Sequence, residues 1–250
     1  MKKIAVITKN FPRHFDFIVS VMETGSLCGV VMVLDDDNTF VRNNDLLNKY
    51  YQNSEHKFFG NKYNNISRIH TITIKNDEIN SPKISSFINN IKADLVIIFD
   101  VNNIDDSTLS EIKSDIWKLH FGYVQRFAGF NGNIHAALEN KSQSICTSLI
   151  EFKNNLYAGR IIHQTQSLFR QEDNITDAEY RSLRKMIFDM EKIISLYNND
   201  SIKYYEAGSN TTIYNENDIT TDDIKKLVNT ANFLAKNLSD NEEFEFKKQI

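Results

Sequence analysis

Three strand-length segments limit what this chain can fold into. Residues 2–8, 28–34 and 94–100 carry the runs I-A-V-I, C-G-V-V-M-V-L and L-V-I-I-F, apolar without alternation. A strand of that kind needs cover on both faces, which the interior of a parallel sheet supplies. Helical patterns lie between them. Phe15, Ile18, Val19 and Met22 fall on one helical face, with Gly25 as a stop. Pro82 opens a helix over 83–91, with Ser81 as its cap. A short helix is expected over 105–113, and strands over 70–74 and 116–121. Strands alternating with helices to about residue 140 predict an α/β, Rossmann-like, mainly parallel twisted sheet.

Later segments read as a helix over 131–139, strands over 145–152 and 160–164, and a long helix over 177–197. In that helix Tyr180, Leu183, Ile187, Met190, Ile194 and Tyr197 keep spacings of three and four. Asn174 or Thr176 caps it. Residues 204–214 read as a short hairpin turning at 208–210, and 222–238 as a last helix. The expected division is an α/β domain over 1–165, then C-terminal helices and a short hairpin over 166–250 packed on it. Two segments lack a clear pattern. Residues 40–65 are rich in Asn, Tyr and Lys and are expected to be irregular. Residues 241–250 are charged and are expected to fray.

A chain of 250 residues that is 41% hydrophobic can bury one large core. A net charge of -4 argues against a nucleic-acid partner. No apolar run is long enough for a signal sequence or a membrane span. The only cysteines, Cys28 and Cys146, lie in apolar strands and read as buried thiols, which points to the cytoplasm. No Cys/His cluster has zinc spacing, so no metal site is expected. Walker, G-x-G-x-x-G and serine-elbow motifs are also absent.

The best site candidate is 118–135, K-L-H-F-G-Y-V-Q-R-F-A-G-F-N-G-N-I-H. His120 ends a strand and a polar, Gly-containing loop follows it. Ligands of open α/β sheets bind outside the carboxyl ends of the strands. Lys118 alternates with His120, so both side chains share one face. Arg126 suits a phosphate or carboxylate. Asn131 and Asn133 flank Gly132, which loop chemistry explains as well as binding does. His14 and His163 have no partner that the sequence names.

The order of these pieces resembles the formyltransferase family from residue 1 to about 238. The family's Asn-x-His motif aligns with Lys118-Leu119-His120, and its basic residue and Gly with Arg126 and Gly129. Its later Asp-x-Gly turn aligns with Tyr157-Ala158-Gly159. The segment F-D-V-N-N-I sits where the family binds folate. It places Phe99, Val101, Asn102 and Ile104 at the cofactor, and 149–159 on the same pocket. Residues 212–220, T-I-Y-N-E-N-D-I-T, resemble its C-terminal segment. The resemblance implies transfer of a formyl group from formyltetrahydrofolate to a small-molecule amine. The layout is nearest to the enzymes that formylate nucleotide-linked amino sugars, since the extra domain of the methionyl-tRNA enzymes has no counterpart. A homodimer is left open.

Of the family's three catalytic residues only His120 is kept. Lys118 stands for the Asn and Tyr157 for the Asp. In the family, Asn and His stabilise the oxyanion and Asp assists proton transfer. Lys118 can still donate to an oxyanion, whereas a phenol with a reference pKa of about 10 is a poor carboxylate. His120 is then expected to be the main base, its pKa depressed by the Lys118 charge. The other reading is a member that binds a ligand or partner without transferring a formyl group.

Overall fold

The structure is a computed structural model. It describes residues 1–34, 45–60, 66–101, 104–152, 159–168, 170, 172–208, 211–215, 218–229 and 244–250. Its centre is a seven-stranded sheet of β1 (Ile4–Lys9), β2 (Leu27–Leu34), β3 (Thr71–Lys75), β4 (Leu95–Phe99), β5 (Asp115–Phe121), β7 (Cys146–Glu151) and β8 (Ile161–Gln166). The spatial order is β3-β2-β1-β4-β5-β7-β8. Every pair from β3 to β5 is parallel, and β7 and β8 are added antiparallel.

The unbroken apolar runs became the interior strands for the reason that their composition suggests. On one face Ile4, Val6, Leu95, Ile97, Phe99, Trp117 and Leu119 meet α1 (Pro12–Glu23) and α6 (Ile175–Asn198). On the other, Ala5, Ile7, Val31, Val33, Val96 and Ile98 meet α3 (Pro82–Ile91) and α4 (Asp106–Glu111). Helix α6 starts at a capping box. Asn174 Oδ1 accepts from the Asp177 N–H at 3.0 Å, and Asp177 Oδ2 accepts from the Asn174 N–H at 3.4 Å. Its buried stripe of Tyr180, Leu183, Met186, Met190, Ile193, Ile194 and Tyr197 belongs to the same core as β1 and β4. Among the described residues no helix is long and apolar enough to cross a membrane.

Three expectations are corrected. Within the segment read as irregular, residues 45–59 form the helix α2 (Asp45–Phe59). It buries Leu47 and Phe59 and packs on α6, where Ser54 donates to Asp177 Oδ1 at 2.6 Å. Its polar residues face partners that only the folded chain brings close. The hairpin over 204–214 does not form. Tyr205 instead bridges Ile161 of β8, while β9 (Thr212–Tyr214) pairs in parallel with β6 (Phe127–Gly129). Finally, residues 244–250 do not fray. They lie along β8, where the Gln164 N–H donates to the Lys247 carbonyl at 2.8 Å. The helix expected over 222–238 is α7 (Thr221–Asn229) as far as it is described. The remaining helix is α5 (Gly132–Leu138).

Candidate active site

Strand β5 puts Trp117 and Leu119 against α6, so Lys118 and His120 point to the opposite face, as their spacing requires. Both are buried, at 5% and 6% exposure. The Lys118 ammonium lies 4.9 Å from the centre of the Phe152 ring. Burial lowers its pKa to about 8, and the Asp100 carboxylate opposes that fall.

His120 is held by its backbone surroundings. Its Nε2 lies 3.1 Å from the Phe127 carbonyl oxygen, which can only accept. That assigns the ring proton to Nε2 and leaves the lone pair on Nδ1. Its pKa falls to about 4. Burial is the main cause, the bond to Phe127 opposes it, and the Lys118 charge adds to the fall. The imidazole is therefore neutral at physiological pH. The carbonyl reaches it through a tight turn, in which the N–H groups of Arg126 and Phe127 both donate to the Tyr123 carbonyl, at 2.9 and 2.8 Å. Gly122 permits the approach. A Cβ there would stand 2.8 Å from His120 Nε2 and 2.7 Å from the Phe127 carbonyl oxygen, at a φ of 152°.

The other expected residues divide. Val101 and Ile104 pack in one cluster with Phe152, beside Lys118. Phe99 lies on the opposite face of the sheet, in the core against His14 and Phe17, with ring centres 4.6 and 5.3 Å away. Its side chain is not brought to Lys118 and His120, because strand alternation turns it away. Asn102 and Tyr157 lie outside the described residues. Arg126 is at the surface, paired with Glu139 Oε2 at 3.1 Å. Asn131 takes a φ of 55° and starts α5, its carbonyl accepting from Ile134 and His135. Its neighbour Asn133 is buried and ties α5 to β7, accepting from the Cys146 N–H and donating to its carbonyl, both at 3.0 Å. Among the described residues no group of His, Cys, Asp and Glu could hold a metal.

Sequence reasoning missed a buried charge cluster at the carboxyl ends of β1 and β4. The Arg13 N–H and Nη1 both donate to Glu55, at 2.8 Å each, and Nη2 donates to Asp100 Oδ2. His14 Nδ1 accepts from the Phe11 N–H at 3.2 Å, so its proton is on Nε2, 3.4 Å from Asp100 Oδ2. Burial alone would raise the Asp100 carboxyl, but Arg13 and His14 outweigh it and hold it well below the usual carboxylate range. Burial lowers His14 to about 3. The Arg13 contacts are 42 and 87 residues away in sequence, a separation that no local pattern signals. Close by, Glu179 accepts from the Tyr51 hydroxyl at 2.5 Å, and burial raises its pKa to about 7.

A mainly parallel sheet of this order, extended by two antiparallel strands, is the formyltransferase fold. Three solved structures illustrate the likeness. The N-formyltransferase from Helicobacter canadensis, in complex with folinic acid and dTDP-3-aminofucose, has a TM-score of 0.57 at 17% identity, over 88% of this chain and 73% of its own. A sugar N-formyltransferase from a Shewanella species has 0.58 at 11%, over 96% and 90%. Phosphoribosylglycinamide formyltransferase from Anaplasma phagocytophilum has 0.59 at 15%, over 85% and 98%. The sequence matches no protein-family model and no curated protein.

Proposed function

We propose that the protein transfers a formyl group from formyltetrahydrofolate to the amine of a small, nucleotide-linked amino sugar. The observation that carries this reading is the pair Lys118 and His120, buried side by side at the carboxyl end of β5 in this fold. The sugar N-formyltransferases of the same fold support the acceptor class, one of them in complex with folinic acid and dTDP-3-aminofucose. Val101, Ile104 and Phe152 belong to one buried apolar cluster, with the Phe152 ring next to the Lys118 ammonium. A flat pterin would bind against this cluster, held by these residues together with Asn102. Arg126 would meet the acid group of the acceptor after leaving Glu139, Asn131 would bind the acceptor, and Tyr157 would stand where the family has its Asp.

The protonation states reassign the roles. With a pKa near 4, His120 is a weak base, while Lys118 at about 8 has the value that proton transfer near neutral pH needs. Formyltetrahydrofolate supplies the formyl carbon as electrophile and a folate nitrogen as leaving group. Neutral Lys118 removes a proton from the acceptor amine as that nitrogen bonds to the formyl carbon. The ammonium so formed is a cation beside the oxygen on which negative charge develops. Lys118 then gives the proton to the folate nitrogen as its bond to the formyl carbon breaks. His120 Nδ1 accepts a hydrogen bond from the amine and orients it.

A second reading is ligand binding without transfer. It is favoured by the commitment of His120 Nε2 to Phe127 and of Arg126 to Glu139. Tetrahydrofolate release with a panel of nucleotide-linked amino sugars separates the two. Release that depends on the sugar supports transfer. Ligand-dependent thermal stabilisation without release supports binding alone.

A further inference from the structure

The residues nearest to His120 are held by a segment far away in sequence. Phe244 and Phe246 both meet the Tyr123 ring edge-on, with ring centres 5.2 and 5.4 Å away. Between them the Glu245 carbonyl accepts from the Tyr123 hydroxyl at 3.2 Å and from Gln125 Nε2 at 3.3 Å. Tyr123 opens the turn whose last carbonyl, that of Phe127, fixes the imidazole. A second route starts from Lys247, whose N–H donates to Gln164 Oε1 at 3.0 Å and whose carbonyl accepts from the Gln164 N–H at 2.8 Å.

The Gln164 and Gln125 amides bond reciprocally, at 2.8 and 3.0 Å. Gln164 Nε2 also donates to Ser148 Oγ at 2.9 Å, and Ser148 Oγ donates to the Gly122 carbonyl at 2.6 Å. Ser148 is the cross-strand partner of His120. Each amide hydrogen in this relay has an acceptor, and the Ser148 hydroxyl both accepts and donates. A satisfied network of that kind, buried at Ser148 and Gln164 and half-buried at Gln125, has one arrangement, and loss of one member leaves the others unpaired.

We infer that residues 244–250 are a positioning element for His120, holding the Tyr123–Phe127 turn from one side and the Gln164–Ser148 pair from the other. The catalytic consequence rests on the formyl-transfer reading, while the structural consequence stands without it. Other contacts anchor the element to β8. Gln249 donates through its N–H to His163 Nδ1 at 3.1 Å and through Nε2 to the Ile162 carbonyl at 2.8 Å. The Tyr205 hydroxyl donates to the Lys248 carbonyl at 3.0 Å.

The test uses the full chain with Phe244→Ala and Phe246→Ala together, and separately Gln125→Ala, which keeps the aromatic anchors. Nitrogen-15 NMR of His120 reports its tautomer and titration without any turnover. The wild type should show the proton on Nε2 alone. Both variants should show mixed tautomers and a titration midpoint moved up towards that of an ordinary histidine, whereas Phe246→Tyr alone should keep the wild-type signal. If formyl transfer is present, kcat should fall on the order of tenfold or more while KM changes little, as for a misplaced group. An unchanged His120 tautomer and titration in folded Gln125→Ala would overturn the inference. An altered tautomer in a protein that never releases tetrahydrofolate would keep the positioning role and remove only the catalytic reading.

Discussion

At the scale of single residues, the proposed chemistry turns on Lys118. A lysine whose folded pKa is below its unfolded value costs stability wherever it is charged in both states. That cost is full below about pH 8 and disappears as pH rises towards the ordinary lysine value of 10.5. Lys118→Met should therefore stabilise the protein at pH 7, by about 3 kcal/mol at most, while lowering any turnover on the order of 10²-fold or more. Denaturant titrations at pH 7 and pH 10 check the first part, because the gain should shrink at the higher pH. Wild-type turnover should rise with pH to a plateau above about 8, as Lys118 becomes neutral. A profile unchanged in Lys118→Arg would remove the proton-acceptor role. Lys118→Asn restores the residue of the formyltransferase motif and should still weaken activity, because the base is lost. The shared face of Lys118 and His120 was legible, since period-two alternation alone sets it. The Arg13–Glu55–Asp100 cluster was not, because its members lie on separate elements with no local pattern linking them.

At the scale of elements, legibility followed the range of the forces. Strands β1, β2 and β4 were readable because each is apolar on both faces, and α6 because its stripe has helical period and Asn174 marks its start. Removing that cap with Asn174→Ala should cost about 1 kcal/mol in denaturant unfolding, with little effect at the site. Helix α2 was hidden because Ser54, Glu55 and Lys57 are satisfied by side chains of α6 and α1, not by its own sequence. Residues 244–250 were hidden for a similar reason: their anchors are β8 and Tyr123. Their docking should depend on pH through His163. Its Nε2 donates to Asp189 Oδ2 at 3.0 Å, and its Nδ1 accepts from Gln249, so the docked ring is neutral. Burial lowers its pKa, the carboxylate of Asp189 opposes that, and Lys185 and Lys248 add to the fall. A lowered histidine pKa gives docking that is complete above the ordinary value of 6.5 and weakens as pH falls below it. A proton on Nδ1 would also face the Gln249 donor. Amide exchange at Gln249 and Gln164 should quicken, beyond its chemical trend, as pH falls below 6.5. Protection that is the same in His163→Gln at every pH would remove His163 from the device.

At the scale of the whole molecule, the sheet has its topological switch point between β1 and β4, where the chain order reverses. Ligands of open α/β sheets usually enter there. Here the place is spanned by the Arg13 guanidinium, bonded to Asp100 directly after β4 and to Glu55 of α2. Lys118 and His120 lie one strand further on, on β5, with the Phe152 ring of the buried Val101, Ile104 and Phe152 cluster beside the lysine. The Arg13 cluster locks the ends of β1 and β4, and the groups proposed to meet a ligand lie directly beside it, within reach of the Asp100 charge. Asp100→Asn should then be harmful to the fold, at about 3–5 kcal/mol, because it leaves a buried guanidinium short of one anion. It should also make Lys118 easier to deprotonate, since Asp100 is the charge that opposes the fall in its pKa. Ligand binding gives the matching test. A non-reactive folate analogue at a hundredfold excess over its dissociation constant should stabilise the native state by about 2.7 kcal/mol. For a chain of this size that is a rise in Tm of roughly 5–10 °C. On the proposed reading a nucleotide-linked amino sugar should add to it, because donor and acceptor would occupy separate parts of the site. Isothermal titration that gives no heat at millimolar analogue, together with an unmoved Tm, would remove the folate claim.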